Sequence, residues 1–382
     1  MTERTNMRRS ISVYDATIER IKWIYDEFNG NVRVSWSGGK DSTALLIMTR
    51  TVADMLGVKE VPTFWLDQEV EWQATRDFTR DIADRPGIDF SWFQVPIQIL
   101  NSANMVEGQS AESQWLQAWD PTQRARWMRP QEPDAVTVSP YDTDRFSEWL
   151  NAHNSAFDNG VTLNGVRIEE SHTRRFGMMH YATYKHVTWG AKTDNPTAYR
   201  LSPIFDWSWR DVWKLIHDSG WGYNTVYDVM YQHGATPRQM RVSSLIHETA
   251  VRHLYELHEI EPATWEAATR RLEGINSTHH VDLDDMFTAP KDLPPMFDDW
   301  RQYRDYLIEA LIPVDLRQGL TDACDHVDRL VAGSHFDTDA TVRSQIKGVL
   351  GGYRTSVDNL TISLRKKMKA AGLEPGTKKE TV

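Results

Sequence analysis

The sequence predicts an α/β protein, a mostly parallel sheet with helices on both faces, followed by a C-terminal helical region. Two observations carry this. Up to about residue 235, short apolar segments of strand length alternate with segments of helical period, the order that builds a parallel sheet. Beyond that point only helical periodicity appears. A third observation bears on organisation: 382 residues suit one large domain with an appendage, or two domains.

The first helix is expected from Val13 to Phe28, with Ile21, Ile24 and Phe28 on one face, and Asn29-Gly30-Asn31 stops it. A short strand follows over Val32 to Trp36. Ser37-Gly38-Gly39-Lys40-Asp41-Ser42 then leads into a helix containing Ala44, Leu45, Leu46 and Met48. A second strand, Val61 to Leu66, ends at Asp67. A helix through Phe78 and Ile82 comes next, then a third strand from Phe90 to Val95.

Residues 101–150 read as irregular, rich in Trp, Gln and Pro, and suit a lid or a substrate-specific insertion. The strand pattern returns at Val161 to Val166. Ser208 and Asp211 form a variant capping box for a helix that ends at Gly220. Pro237 and Pro262 sit at expected helix starts. The acidic segment from Asp282 to Pro295, with Pro290, Pro294 and Pro295, reads as a linker before a helical tail from Phe297. The expected domains are therefore 1–235, a helical extension and linker over 236–295, and a helical region over 296–382.

Composition narrows the function classes. No run approaches the roughly 18 apolar residues of a membrane span, and mean hydropathy is −0.56. Met1 to Ser12 is polar and basic without an apolar stretch, so the expectation is a cytoplasmic protein without a secretory signal. Cys324 is the sole cysteine, which excludes an internal disulfide, a CxxC pair, a cysteine-built zinc site and an Fe–S cluster held by this chain alone. The net charge of −11 argues against broad electrostatic attachment to nucleic acid. A basic tail (Arg365, Lys366, Lys367, Lys369, Lys378, Lys379) is the local exception and reads as a solvated terminus. His247 and His253 are six apart, not the four of HExxH, so they do not share a helical face, and zinc is rejected. His279-His280 beside Asp282, Asp284 and Asp285 reads as a solvated loop.

The strongest chemical signal is the strand–Ser37-to-Ser42–helix unit. Ser37, Gly38 and Gly39 allow a tight turn with amide hydrogens aimed at one spot. The helix N-terminus adds partial positive charge. Lys40 adds a full cation and Ser42 a hydroxyl. Together these make a cradle for a pyrophosphate, at the carboxyl end of a strand where such sheets bind ligands. It is not a Walker A loop, whose spacing differs.

In this hexapeptide the chain resembles the PP-loop ATP pyrophosphatases, particularly the phosphoadenylylsulfate (PAPS) reductase-like branch. That branch includes PAPS reductases, the small subunit of bacterial ATP sulfurylase and sulfur-handling proteins of DNA phosphorothioation. Further stretches carry the resemblance. They are Phe64-Trp65-Leu66-Asp67, Gly165-Val166-Arg167 with Glu170-Ser171 and Arg174, Pro203 through Trp207 with Asp211-Val212-Trp213, and Tyr223-Asn224 with Tyr227-Asp228. Met240 to Ser244 and Gly274-Ile275-Asn276 resemble the IbrA-type proteins, which carry a helical extension and often occur in prophages beside a ParB/sulfiredoxin-like partner. The resemblance covers about residues 10–280. It implies an adenine nucleotide α-hydrolase-like, Rossmann-like fold that binds ATP with Mg²⁺.

The chain departs from true PAPS reductases where their cysteine should follow the Tyr-Asp segment: here it reads Gln239-Met240-Arg241. Thiol-based reduction is therefore not expected, and the cluster-bearing type fails for want of cysteines. What survives is chemistry at the α-phosphate of ATP. In the implied arrangement Ser37, Gly38, Gly39, Lys40, Asp41, Ser42, Asp67, Gly165 and Glu170 bind the nucleotide. Asp41 or Asp67 helps hold Mg²⁺ or its waters. Lys40, Arg167 and Arg174 stabilise charge on the phosphates, with Asp41 as a further catalytic candidate. Asp67 also suits a turn or cap, and Arg167 and Glu170 also suit a simple surface pair. Trp207, Trp209 and Trp213 read as core, whereas Trp115, Trp119 and Trp127, with Arg126 and Arg129, suit the wall of a substrate pocket.

Three functional expectations follow: an ATP pyrophosphatase or adenylyltransferase acting on a sulfonucleotide-, sulfate- or nucleic-acid-related acceptor; a nucleotide-binding regulator acting through a partner; and a nucleic-acid modification enzyme with the same first half-reaction. No membrane is implied.

Overall fold

The computed structural model describes residues 11–101, 115–170, 178, 183–232, 234–236, 240–247, 257–272, 275, 292–312, 314–332 and 338–350. The chain divides into two compact units, Met1–Ala103 with Trp115–Ile275, and Asn104–Gln114 with Asn276–Val382. Of the extension and linker expected over 236–295, the described residues up to Ile275 fall in the first unit. Pro237, Arg174, His279, His280, the basic tail and most of the expected linker lie outside the described residues.

In the first unit α1 (Val13–Glu27) precedes β1 (Val32–Ser35), α2 (Lys40–Leu56), β2 (Val61–Leu66), α3 (Gln73–Ala83) and β3 (Ile88–Phe93). Then come β4 (Ile97–Leu100), β5 (Trp115–Ala118), α4 (Phe146–Ser155), β6 (Val161–Leu163), β7 (Gly190–Lys192) and β8 (Tyr199–Leu201). Helices α5 (Trp209–Ser219), α6 (Val226–Gln232) and α7 (Pro262–Arg271) follow. The six-stranded sheet has the order β3-β2-β1-β6-β8-β7, parallel except for β7 at the edge, which runs antiparallel to β8. The chain builds outward from β1 through β2 to β3, then returns to place β6 on the other side of β1. That reversal opens a crevice at the carboxyl ends of β1 and β6, where open α/β sheets bind ligands.

Neighbouring side chains on β2 point to opposite faces. Trp65 packs on Trp36 and Trp92, and Trp36 also meets Phe78 of α3. Phe64 packs on Phe93 and His153 of α4, whose Trp149 also lies on Phe93. Helices therefore cover both faces. β2 is buried at every position except Pro62, as a strand covered on both sides must be.

The expected capping box at Ser208 and Asp211 forms, and α5 ends at Gly220 in the left-handed region, φ 67°. Pro262 opens α7. The signature around Pro203 and Trp207 ties α1 to the sheet. Arg20 donates to both carboxylate oxygens of Asp206, at 2.7 and 2.6 Å, and to the Pro203 carbonyl at 2.8 Å. Trp207 Nε1 donates to Thr17 at 2.8 Å and the ring is buried in the core.

Some elements differ from expectation. The third strand starts two residues earlier and ends at Phe93. β6 stops at Leu163; the Asn164 amide still donates to the Leu201 carbonyl at 3.0 Å, and the next residue, Gly165, lies against the start of α2. The stretch expected to be irregular holds β5, which pairs antiparallel with β4 just before that stretch, a 3-10 turn over Pro121–Arg126 capped by Asp120, and the start of α4.

In the second unit α8 (Trp300–Leu311), α9 (Val314–Val331) and α10 (Thr338–Leu350) surround an apolar core that includes Leu307, Leu320, Cys324, Val327 and Ile346. Buried Arg304 donates to Asp328 at 2.9 Å and Gln345 at 2.8 Å, so its charge is paired rather than stranded. Among the described residues no helix is long and apolar enough to cross a membrane.

Candidate functional site

The loop after β1 occupies the crevice. Gly38 has φ 75°, a left-handed conformation suited to glycine, and a β-carbon there would stand 2.7 Å from the Thr75 methyl group. The Ser37 amide donates to Ser42 Oγ at 3.2 Å, and the two serine hydroxyls are 3.0 Å apart. Ser42 and Thr43 hydroxyls both donate to the Gly39 carbonyl, at 3.0 and 2.9 Å, which locks the loop onto the first turn of α2.

Two loop amides expected to face an anion are engaged internally. Ser37 is one. The other is Lys40, whose amide donates to the Tyr227 hydroxyl at 2.9 Å. The Gly38 and Gly39 amides have no acceptor among the described residues. The cradle is thus narrower than the sequence suggested, centred on the two glycines.

The segment with Tyr223, Asn224, Tyr227 and Asp228 braces the loop, a role that sequence reasoning did not assign. Buried Asn224 donates to the Gly38 carbonyl at 3.2 Å and to Thr75 at 2.8 Å, linking the loop to α3. Burial pushes the Tyr227 phenol well above its usual range, so it remains a neutral hydroxyl at the Lys40 amide.

Lys40 Nζ donates to Asp41 at 3.2 Å and to the Met240 carbonyl at 3.0 Å, and the side chain is only 5% exposed. Burial lowers its pKa, opposed by Asp41, while nearby Arg167 and Arg241 lower it further. Arg167 leaves the end of β6 and donates through Nε to Asp41 at 2.7 Å, and through Nη1 to Glu169 at 2.9 Å and the Trp207 carbonyl at 3.0 Å. Glu170 lies 3.9 Å from Arg167 Nε. Arg241 donates to the Glu170 carbonyl at 2.8 Å. Lys40 and Arg167 thus meet on Asp41 beside the loop, with Arg241 close enough to act on Lys40. Arg241 was not among the expected site residues, although it lies in the stretch, Gln239 to Arg241, where the resemblance expects a cysteine.

Gly165 acts by close approach. A β-carbon there would fall 2.8 Å from the Asp41 carbonyl carbon and the Ser42 nitrogen, and 2.9 Å from the Asp41 oxygen. Glycine lets the chain leaving β6 press against α2 and carry Arg167 to Asp41.

Asp67 is enclosed. It is fully buried and accepts from Arg129 Nη2 at 2.6 and 2.5 Å, from Trp92 Nε1 and Gln94 Nε2 at 2.8 Å each, and from the Glu69 amide at 2.9 Å. The expectation that Asp67 contacts the nucleotide or holds Mg²⁺ is corrected for this arrangement, because its oxygens are already taken by protein donors. Asp41, the other expected metal holder, is shared by Lys40 and Arg167. Among the described residues no group of three or more His, Cys, Asp or Glu could hold a metal ion. The side chains among the described residues do not fit a protein-built Mg²⁺ cage.

A cavity of about 600 Å³ opens beyond Tyr227, lined by Trp213, Tyr223, Tyr231, Asp228 and Met240 among others. It shares Tyr227 and Met240 with the surroundings of Lys40. Of the insertion residues expected to wall a pocket, Trp119 is buried and donates to the Asp67 carbonyl, Arg129 is buried on Asp67, and Arg126 is exposed.

Residues 31–233 match the phosphoadenosine phosphosulfate reductase domain. An Escherichia coli K12 relative described as the uncharacterized protein YbdN is 25% identical over 321 residues, spanning 79% of this chain and 76% of the relative. An adenosine 5'-phosphosulfate reductase of Lysinibacillus sphaericus is 20% identical over 222 residues, spanning 57% of this chain and 77% of the relative. Among solved structures, the PAPS reductase of Candida auris in a phosphate complex aligns at 14% identity and a TM-score of 0.34, covering 62% of this chain and 89% of that one.

Proposed function

The chain belongs to the phosphoadenosine phosphosulfate reductase domain family, within the PP-loop ATP pyrophosphatases, and from that premise we propose that it binds ATP in the Ser37–Ser42 loop and cleaves the bond between the α- and β-phosphates, transferring the adenylyl group to an acceptor. One observation carries the reading: the Gly38 and Gly39 amides, without an acceptor among the described residues, and the Lys40–Asp41–Arg167 cluster meet at the reversal of the sheet.

The pyrophosphate end of ATP docks on the glycine amides and the start of α2. Lys40 exchanges its Met240 carbonyl contact for phosphate oxygen, which a desolvated ammonium favours strongly. Arg167, oriented by Asp41 and Glu169, neutralises charge that builds on the phosphates as an acceptor oxygen attacks the α-phosphorus in line and pyrophosphate leaves. Mg²⁺, when it accompanies ATP, is held by phosphate oxygens and water, the usual habit of that ion.

Reduction by a thiol does not fit. Cys324 is buried in the second unit's core, and burial pushes its thiol up to about 12.

A second reading is favoured by the seal on Lys40. The Met240 carbonyl comes from the segment after α6, so nucleotide binding must displace it, and that displacement suits a regulator acting on a partner such as a ParB/sulfiredoxin-like protein. Assignment to the IbrA-type proteins belongs with this proposal and rests on Met240 to Ser244.

The test is calorimetric binding of α,β-methylene ATP, which cannot be cleaved at the α–β position, by the wild type and Lys40→Ala. The proposal expects binding by the wild type and at least tenfold weaker binding by the variant. Equal affinity of the two would remove Lys40 from the site and overturn the docking described.

A further inference from the structure

At the carboxyl end of β2, beside the loop, lies a second group of charged side chains that the chemistry above does not use. Arg129 is 8% exposed, donates through Nη2 to Asp67 and lies over the Trp119 ring. Its Nε and Nη1 are buried without a hydrogen-bond partner among the described residues. Arg76, on the first turn of α3, donates through Nη2 to Gln73, while its Nε is likewise buried and unpartnered. The two guanidinium groups and Glu71 are close enough to perturb one another. Buried N–H donors without acceptors are rare in folded proteins, and each calls for a partner.

Contrast with the neighbouring pair shows that the fold can satisfy a buried arginine when only structure is required. Arg271 donates to both oxygens of Glu69, at 2.7 and 2.9 Å, and also to Gln123 and the Gln117 carbonyl. Arg129 and Arg76 keep donors in reserve. Beside them Glu71 is buried, and burial together with the Asp67 charge pushes its carboxyl well above the carboxylate range. The place is connected to the loop: Thr75, next to Arg76, packs on Gly38 and is bonded to Asn224.

We propose that Arg129 and Arg76 form a subsite for a small oxyanion, the sulfate-like or carboxylate group of the acceptor that the adenylyl group is transferred to. The unpartnered Arg129 Nε and Nη1 and Arg76 Nε are charge-assisted donors of the kind an oxyanion accepts. The insertion following β5 thereby contributes to acceptor choice through Arg129, while the loop holds the nucleotide. This rests on the adenylyl-transfer reading for the identity of the anion as acceptor, but not for its binding.

The experiment is calorimetric titration of the full chain with sodium sulfate and, separately, sodium acetate at constant ionic strength. Wild type, Lys40→Ala, Arg76→Gln and Arg129→Lys are compared. The proposal expects saturable binding of one of the two anions, retained in Lys40→Ala and weakened at least tenfold in Arg76→Gln. Arg129→Lys, which keeps a cation for Asp67 but removes the guanidinium fork, is expected to weaken it also and serves if Arg76→Gln does not fold. Saturable binding by neither anion overturns the subsite. So does binding lost in Lys40→Ala yet unchanged in Arg76→Gln and Arg129→Lys, since the anion would then sit in the loop. Failure of α,β-methylene ATP to bind the wild type counts against the nucleotide reading and is read independently of the anion titration.

Discussion

Adding one methyl group at Gly165 is expected to damage nucleotide binding more than stability. Its β-carbon would stand 2.8 Å from two backbone atoms of Asp41 and Ser42. Comfortable contact between such atoms needs about 3.5 Å, so the chain leaving β6 and the first turn of α2 must separate by roughly 0.7 Å. Backbone on both sides prevents an easy rotamer escape, and overpacking of this kind costs about 1–3 kcal/mol. A domain of ordinary stability survives that loss. The separation, however, falls on the Arg167–Asp41 contact of 2.7 Å and on the loop it orients, where displacements near 1 Å can cost on the order of 100-fold in rate. Gly57→Ala is the control: Gly57 has φ 71° with open space around it, so the same methyl brings only backbone strain of about 1 kcal/mol, at the far end of α2. Urea unfolding followed by tryptophan fluorescence reports chiefly on the first unit, because every tryptophan except Trp300 lies there. Paired with nucleotide binding, it should show two variants of similar stability, with binding lost only in Gly165→Ala. Normal binding by Gly165→Ala, or equal loss in Gly57→Ala, would refute the close-approach argument.

Three further outcomes are expected. His153 is stacked on Trp149, and burial pushes its pKa down to about 3; the unfolded chain takes up that proton below about pH 6.5 while the folded one does not, so stability is full above pH 6.5 and falls by a few kcal/mol as pH drops toward 3. Unfolding measured from pH 7 to 4 should show a shallower decline in His153→Phe, and parallel declines would contradict this. Asn224→Ala removes the links to Gly38 and Thr75, and should weaken α,β-methylene ATP binding by about tenfold, or 1.4 kcal/mol; unchanged affinity would mean that the loop needs no brace. Cys324 should resist iodoacetamide at neutral pH in the native protein and react in denaturant, as mass spectrometry would show, since its thiol is buried and held protonated.

Much of the nucleotide-binding half was legible because its signals are local. Alternating periods predicted β1, α2 and β2, and the glycine pair before Lys40 marked the turn. The Ser208–Asp211 box and Gly220 bounded α5 within the residues themselves. β7 and β8, at three residues each, are too short for periodicity to register. The partners of Asp67 were not legible either: Trp92, Gln94 and Arg129 lie 25, 27 and 62 residues away, and only the fold brings them together to enclose it. Spacing likewise gave no sign that Tyr227 would take the Lys40 amide from 187 residues away. Gly165 was legible as an important glycine, but its reason, contact with α2 backbone, required the structure.

The central claim is tested most directly by separating the products formed from ATP and Mg²⁺ by the full chain, with and without sulfate or other candidate acceptors, in the wild type and Lys40→Ala. The wild type is expected to form pyrophosphate, with AMP or an adenylylated acceptor, and Lys40→Ala at least 100-fold less. ADP and inorganic phosphate as the Lys40-dependent products, or bound ATP that yields no pyrophosphate with any acceptor, would contradict it.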